Sequence, residues 1–233
     1  MRRIGLLGGM SWVSTAEYYR LLNEEVSARL GGLHSADCIV RSVDFAPIER
    51  MQDEGRWEEA GAFLAREAVS LVGAGAEILV LCTNTMHKVA DAIEAVSTVP
   101  LVHIADATAQ EIRGAGFDTV GLLATAYTME QDFYVGRLRD RHGLDVLLPD
   151  ERDRRLVHEV IFRELCIGVI EDRSRREYRR VMADLAARGA RAVLLGCTEI
   201  GLLVGADDAP VPVFDTTALH VRAAVELALR GAE

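Results

Sequence analysis

Two cysteines, Cys82 and Cys197, stand 115 residues apart in matched surroundings. Around the first the chain reads AGAEILVLCTNTMHK, from Ala74 to Lys88, and around the second RGARAVLLGCTEIGLL, from Arg188 to Leu203. Both stretches run Gly-Ala, apolar segment, Cys-Thr. Gly75 and Gly189 lie 114 residues apart, and IGLLGGMS from Ile4 resembles VGLLATAY from Val120 at an offset of 116. Three anchors at nearly one offset indicate an internal duplication. Paired thiols of this kind suit inversion at an acidic C–H carbon. One thiolate removes the α-proton from one face, and the opposite thiol protonates the planar carbanion on the other. Exchanging the roles runs the reaction backwards.

The thiolate is the working form of a cysteine, and a helix N-terminus beside it lowers its pKa below the usual value of about 8.5. Cys82 precedes a helix expected near Thr85, and Cys197 a short one near Glu199, so both thiols are expected to be acidified. A blander reading exists, because a cysteine in an apolar strand is often only a small buried hydrophobe. That reading is given to Cys38 and Cys166. Cys82 and Cys197 are set apart by the polar residues that follow them, Thr83-Asn84-Thr85 and Thr198-Glu199. A redox pair lacks the adjacent resolving thiol of a C-x-x-C motif, and a zinc site of Cys82, His87, Cys197 and His220 lacks compact ligand spacing. No metal is expected.

Thiols held at matched places need matched scaffolds. Short apolar runs that read as buried parallel strands fall at Arg3–Leu7, Cys38–Val43, Ile78–Cys82 and Leu101–His103, then at Thr119–Leu123, Asp145–Leu148, Ala192–Leu195 and Val211–Phe214. Helical periodicity fills the intervals. Ser14-Thr15-Ala16-Glu17 and Thr128-Met129-Glu130-Gln131 fit the capping box and predict helix starts after the first strand of each half. Strand and helix in alternation predict an α/β protein of two pseudo-symmetric, doubly wound lobes with parallel sheets and the active site in the cleft between them. The first lobe is expected to span 1–104 with the C-terminal segment 211–233, and the second 105–210.

The turns that follow the strands carry the remaining polar groups. Gly8-Gly9-Met10-Ser11 lets backbone N–H groups approach an anion, but the glycines do not form G-x-G-x-x-G and no Walker lysine is present. Its counterpart is Thr125-Ala126-Tyr127-Thr128. With Thr83, Asn84, Thr85 and Thr198, these turns make a cradle for an α-carboxylate and an α-ammonium, alongside the plainer role of helix caps. His87, Lys88 and His103 read as structural hydrogen-bonding residues. Arg173–Arg180, interleaved with acids at helical spacing, reads as a solvated ion-paired face.

The 233 residues are half apolar and carry a formal net charge of −10. The negative balance argues against a nucleic-acid partner. No run approaches the roughly 20 apolar residues of a membrane helix, and Met1-Arg2-Arg3 leads directly into a strand pattern, so a soluble cytoplasmic protein is expected. Four widely spaced cysteines suit free thiols.

The segments GLLGGMSW, LCTNTMHKVADAIE, HIADAT, YTMEQDFY and GCTEIGLL together resemble the aspartate/glutamate racemase family, and among its members a broad-specificity bacterial branch. The resemblance spans essentially the whole chain. It implies two similar α/β lobes, amino-acid substrates, no pyridoxal phosphate or other cofactor, no metal, and a homodimer. It also implies that Cys82 and Cys197 are the catalytic thiols and that Met10, Thr83, Asn84, Thr85, Thr125, Tyr127, Thr128 and Thr198 contact substrate. Aspartate racemases of the family carry a basic residue near the position of Leu165-Cys166-Ile167-Gly168, and this chain has none there. Arg50 is the candidate for a second family arginine. Specificity for aspartate alone is therefore not implied, and glutamate or several non-acidic amino acids become reasonable substrates. Relatives with a single cysteine include decarboxylases and other isomerases, so retention of both favours racemisation. A small-dicarboxylate isomerase or decarboxylase and a non-catalytic amino-acid-binding sensor remain as alternatives.

Overall fold

The computed structural model describes residues 1–230. The chain divides into two compact units, the first made of Met1–His103 and the chain from His220 onward, the second of Ile104–Leu219. In the first unit β1 (Ile4–Gly8), α1 (Trp12–Leu30), β2 (Cys38–Ser42), α2 (Phe45–Asp53), α3 (Trp57–Gly73), β3 (Ile78–Leu81), α4 (Ala90–Glu94) and β4 (Leu101–Val102) follow in order. The second holds α5 (Ile104–Gly114), β5 (Thr119–Leu123), α6 (Ala126–Glu130), α7 (Asp132–His142), β6 (Asp145–Leu147), α8 (Glu151–Arg163), α9 (Asp172–Ala187), β7 (Ala192–Leu195) and β8 (Val213–Asp215). Helix α10 (Thr216–Leu229) begins in the second unit and continues in the first. No helix among the described residues is long and apolar enough to cross a membrane.

Each unit has one parallel sheet of four strands, in the orders β2-β1-β3-β4 and β6-β5-β7-β8. The repeated order is the duplication seen in the sequence, now expressed as topology. The central strands read as unbroken apolar runs because both of their faces are covered. Side chains alternate across the first sheet. Leu7, Leu79 and Leu81 pack with Leu64, Ala68 and Leu71 of α3, while Ile4, Leu6, Ile78 and Val80 pack with Tyr18, Leu22 and Val26 of α1 and Val221, Ala224 and Val225 of α10. Each Leu or Ile so buried contributes about 1.5–3 kcal/mol. The second sheet is buried in one continuous apolar cluster that includes Val120, Leu122, Leu138, Val181, Leu185, Val193 and Leu194.

Two expectations shift. Both helix starts lie three residues before the expected capping boxes: Ser11 caps α1, its Oγ accepting from Ser14 N at 3.3 Å, and Thr125 caps α6, its Oγ1 accepting from Thr128 N at 3.3 Å. The strands end at Gly8 and Leu123, so unsatisfied N–H groups begin there and the first hydroxyl in reach takes them. The returning segment of the first unit starts at His220, not 211. Val213–Asp215 pairs in parallel with β7, and this pairing holds the preceding stretch in the second unit.

Candidate active site

Cys82 follows β3 directly. Its N–H donates to Leu7 O at 2.9 Å, which fixes it at the carboxyl edge of the sheet where β1 and β3 run side by side. The residue is fully buried. Its thiol faces Val80 O at a loose 3.7 Å, and its carbonyl accepts from Ser14 Oγ at 3.4 Å. Ser14 Oγ also reaches Ser11 O at 3.1 Å, so the capped start of α1 and the cysteine turn are tied together. Gly9, at φ +95°, folds the preceding turn against the backbone of Val43, and its N–H donates to Thr15 Oγ1 at 2.7 Å. Met10, Ser11, Thr83, Asn84 and Thr85 are all buried at this edge.

Three buried histidines brace the turn that carries Thr83, Asn84 and Thr85. His87 Nδ1–H donates to Thr83 O at 2.7 Å, because a carbonyl can only accept. By the same logic His220 Nε2–H donates to Val102 O at 2.7 Å, which leaves Nδ1 to accept from Tyr18 Oη at 2.7 Å. The His87 ring lies 4.5 Å from that of His103 and 5.6 Å from that of His220, centroid to centroid. Lys88 lies 3.9 Å from the centre of the Trp57 ring. Arg50 lies on the exposed side of α2. The buried polar residue that the helix turns inward is Gln52, whose Nε2 donates to Met86 Sδ at 2.9 Å.

The second unit repeats the plan. Gly196 N donates to Leu123 O at 2.7 Å and delivers Cys197 beyond β7 as Cys82 is delivered beyond β3. Thr125 and Thr128 are buried, with their hydroxyls 3.2 Å apart. Tyr127 is half-buried against the ring of His158 at 5.7 Å. Cys197 and Thr198 differ from their counterparts in one respect: Glu199, 2% exposed, turns its carboxylate back on them. Its Oε2 accepts from Cys197 Sγ at 3.1 Å and from Thr198 Oγ1 at 2.5 Å, and its Oε1 from Cys166 Sγ at 3.7 Å.

The expectation of acidified thiols is corrected. The segments after the cysteines are short 3-10 turns, Thr85–Val89 and Ile200–Leu202, which carry little of the dipole of an α-helix. Burial dominates and pushes both thiols up. At Cys197 the charge of Glu199 adds to burial. Cys166, read from the sequence as a core hydrophobe, is half-buried and bonded to the same carboxylate. From the sequence Glu199 reads only as part of the polar turn after Cys197, with no role of its own. The signal was present, because laying the halves over one another sets Cys82-Thr83-Asn84 on Cys197-Thr198-Glu199 and places an acid where the first half has an amide. Among the described residues no group of His, Cys, Asp and Glu is arranged to hold a metal ion.

Residues 7–224 match the family model of the Asp/Glu/Hydantoin racemases. Among solved structures, a candidate Asp/Glu racemase from Yersinia pestis is 56% identical, with a TM-score of 0.91 over 98% of this chain and 100% of the other. An aspartate racemase homologue from Pyrococcus horikoshii is 34% identical, with a TM-score of 0.83 over 98% and 99%. The aspartate racemase of Picrophilus torridus, 22% identical, shares the fold at a TM-score of 0.81 over 98% and 94%.

Proposed function

Because the chain belongs to the Asp/Glu/Hydantoin racemase family, we propose that it is a cofactor-independent amino-acid racemase in which Cys82 and Cys197 are the two acid/base groups. The observation that carries this reading is the equivalence of the two thiols, each at the carboxyl edge of a sheet of the same strand order, each after the strand that neighbours the first strand of its unit. One thiolate takes the α-proton, and the other thiol returns a proton to the opposite face. The carbanion between these steps must be stabilised by hydrogen-bond donors. Thr83, Asn84, Thr85, Thr125, Thr128 and Thr198, with Met10, Ser11 and Tyr127, are the residues assigned to hold the amino acid.

Specificity follows from charge. Where aspartate racemases of the family carry a basic group, the neutral thiol of Cys166 meets the carboxylate of Glu199, and Arg50 is on the exposed side of its helix. Strict specificity for aspartate is therefore not favoured, and glutamate or several non-acidic amino acids are the proposed substrates. The same family likeness supports a cytoplasmic homodimer, and a monomeric mass by light scattering would count against that assembly.

Proton NMR of a panel of L-amino acids in deuterated water, with chiral analysis of products, tests the function. Loss of the α-proton signal with appearance of the D-isomer is expected without added cofactor. Binding without exchange across the panel leaves a sensor, and decarboxylated product leaves the single-thiol chemistry of relatives.

A further inference from the structure

Each thiol is followed by a threonine, and the next residue is Asn84 in the first half and Glu199 in the second. An amide cannot take up a proton near neutral pH, and a carboxylate can. Glu199 is buried, and the donors converging on it include two thiols and a hydroxyl, with Cys197 Sγ only 3.1 Å from Oε2. From this geometry we infer that Glu199 is the proton acceptor behind Cys197, a base that the amide of Asn84 cannot supply to Cys82. The inference deepens the racemase reading and rests on it for the roles of the cysteines.

At rest Cys197 is a thiol donating to the Glu199 carboxylate, and Cys82 is a thiol. When substrate is bound, the Cys197 proton passes to Glu199 Oε2 and leaves a thiolate. That thiolate takes the substrate α-proton, re-forming the Cys197 S–H bond as the C–H bond breaks. Cys82 then gives its proton to the carbanion and becomes a thiolate. The enzyme now holds protons on Cys197 and Glu199 and a negative charge on Cys82. Loss of the Glu199 proton to solvent and uptake of one at Cys82 restore the resting form. The enantiomer of opposite hand enters at the intermediate form and runs the sequence backwards. One negative charge stays on the Cys197–Glu199 pair throughout its internal transfer, so the buried site never takes on a second charge.

This arrangement makes a prediction of sign. A fixed negative charge beside Cys197 opposes thiolate formation, as burial does before it. Were Glu199 only such a charge, Glu199→Gln would make Cys197 more reactive. As proton acceptor its loss makes Cys197 less reactive.

The experiment is alkylation of the purified protein by iodoacetamide, followed at the Cys197 peptide by mass spectrometry across the neutral pH range, in wild type, Glu199→Gln and Glu199→Asp. Circular dichroism checks folding of each variant. Slower alkylation of Cys197 in Glu199→Gln, with an intermediate rate in Glu199→Asp, is expected. An unchanged or faster rate overturns the inference. Should the amide variant not fold, Glu199→Asp decides alone, since drawing the carboxylate back by one methylene must also slow the reaction. On the best substrate of the NMR panel, α-proton exchange in Glu199→Gln should fall by roughly 100-fold or more. Absence of exchange from any amino acid by wild type would overturn the racemase reading, while the alkylation comparison still decides whether Glu199 accepts the thiol proton.

Discussion

Tyr18 and His220, 202 residues apart in the chain, meet through a buried 2.7 Å hydrogen bond that joins α1 to α10. His220 accepts through Nδ1 only because Nε2–H is committed to Val102 O, so the ring must stay neutral for both bonds to persist. Burial lowers its pKa from about 6.5 to about 4. A base whose folded pKa is depressed binds its proton more readily when unfolded. Stability is therefore complete above about pH 6.5, declines as pH falls toward about 4, and levels off below; the full loss is about 3 kcal/mol. Both tryptophans, Trp12 and Trp57, lie in the first unit, so urea unfolding followed by tryptophan fluorescence reads this unit selectively. The midpoint should drop between about pH 7 and about pH 4.5 in wild type, and the drop should shrink in His220→Gln, which keeps a donor but does not titrate. An equal drop in the variant assigns the effect to other groups.

Each thiol should be indispensable to racemisation. Serine occupies nearly the same space as cysteine, but its hydroxyl does not ionise in the accessible range, so Cys82→Ser and Cys197→Ser should each lower kcat/KM by roughly 10²–10⁴ in both directions. The directions must fall together, because free enantiomers have equal energies and the ratio of the two kcat/KM values cannot move. A single-base isomerase would keep substantial turnover in one of the two variants. Chiral chromatography of reactions started from each enantiomer separates these outcomes.

The observed caps, and not the sequence boxes three residues later, should hold the helix starts. Ser11→Ala removes the oxygen that accepts from Ser14 N and should cost about 1 kcal/mol. Glu17, the acid of the expected box, is instead paired with Arg20 on the surface, so Glu17→Gln should cost no more than about 0.5 kcal/mol. Urea midpoints of the two variants check the order. Equal costs would return the cap to Ser14.

The strands were legible because parallel strands covered on both faces must be apolar throughout. Thr119–Leu123 and Ala192–Leu195 stand as read, and the others end within a residue or two of expectation. What periodicity leaves open is pairing. Val211–Phe214 read as a strand, yet nothing in its composition says that it joins β7. Hydroxyl-rich turns defeat cap assignment for a similar reason: Ser11, Ser14 and Thr15 all offer oxygens, and only the end of β1 decides which one caps. At the candidate site the thiols were visible as a repeated motif, whereas their protonation was not. Burial and the inward turn of Glu199 are properties of the folded chain, and they reverse the pKa direction that the local sequence suggested.

The turn after β1 tests how tightly the first unit holds its polar edge. Gly9 adopts φ +95°, and a Cβ there would run into the backbone N and O of Val43. Gly143, which ends α7 at φ 64° and ψ 32°, is left-handed too, but a Cβ there meets nothing within 4 Å. Gly143→Ala should cost only the left-handed backbone, about 1–2 kcal/mol. Gly9→Ala carries a comparable backbone cost and adds overpacking of about 1–3 kcal/mol against atoms that cannot rotate away. Backbone must therefore move, and it belongs to the strand pair in which Val43 N donates to Gly8 O at 3.0 Å. Thermal unfolding should place Gly9→Ala clearly below Gly143→Ala. The displaced turn also carries Met10 and Ser11, so substrate KM should rise in Gly9→Ala and stay near wild type in Gly143→Ala; equal stability and equal KM in the two variants would mean that Val43 does not confine the turn.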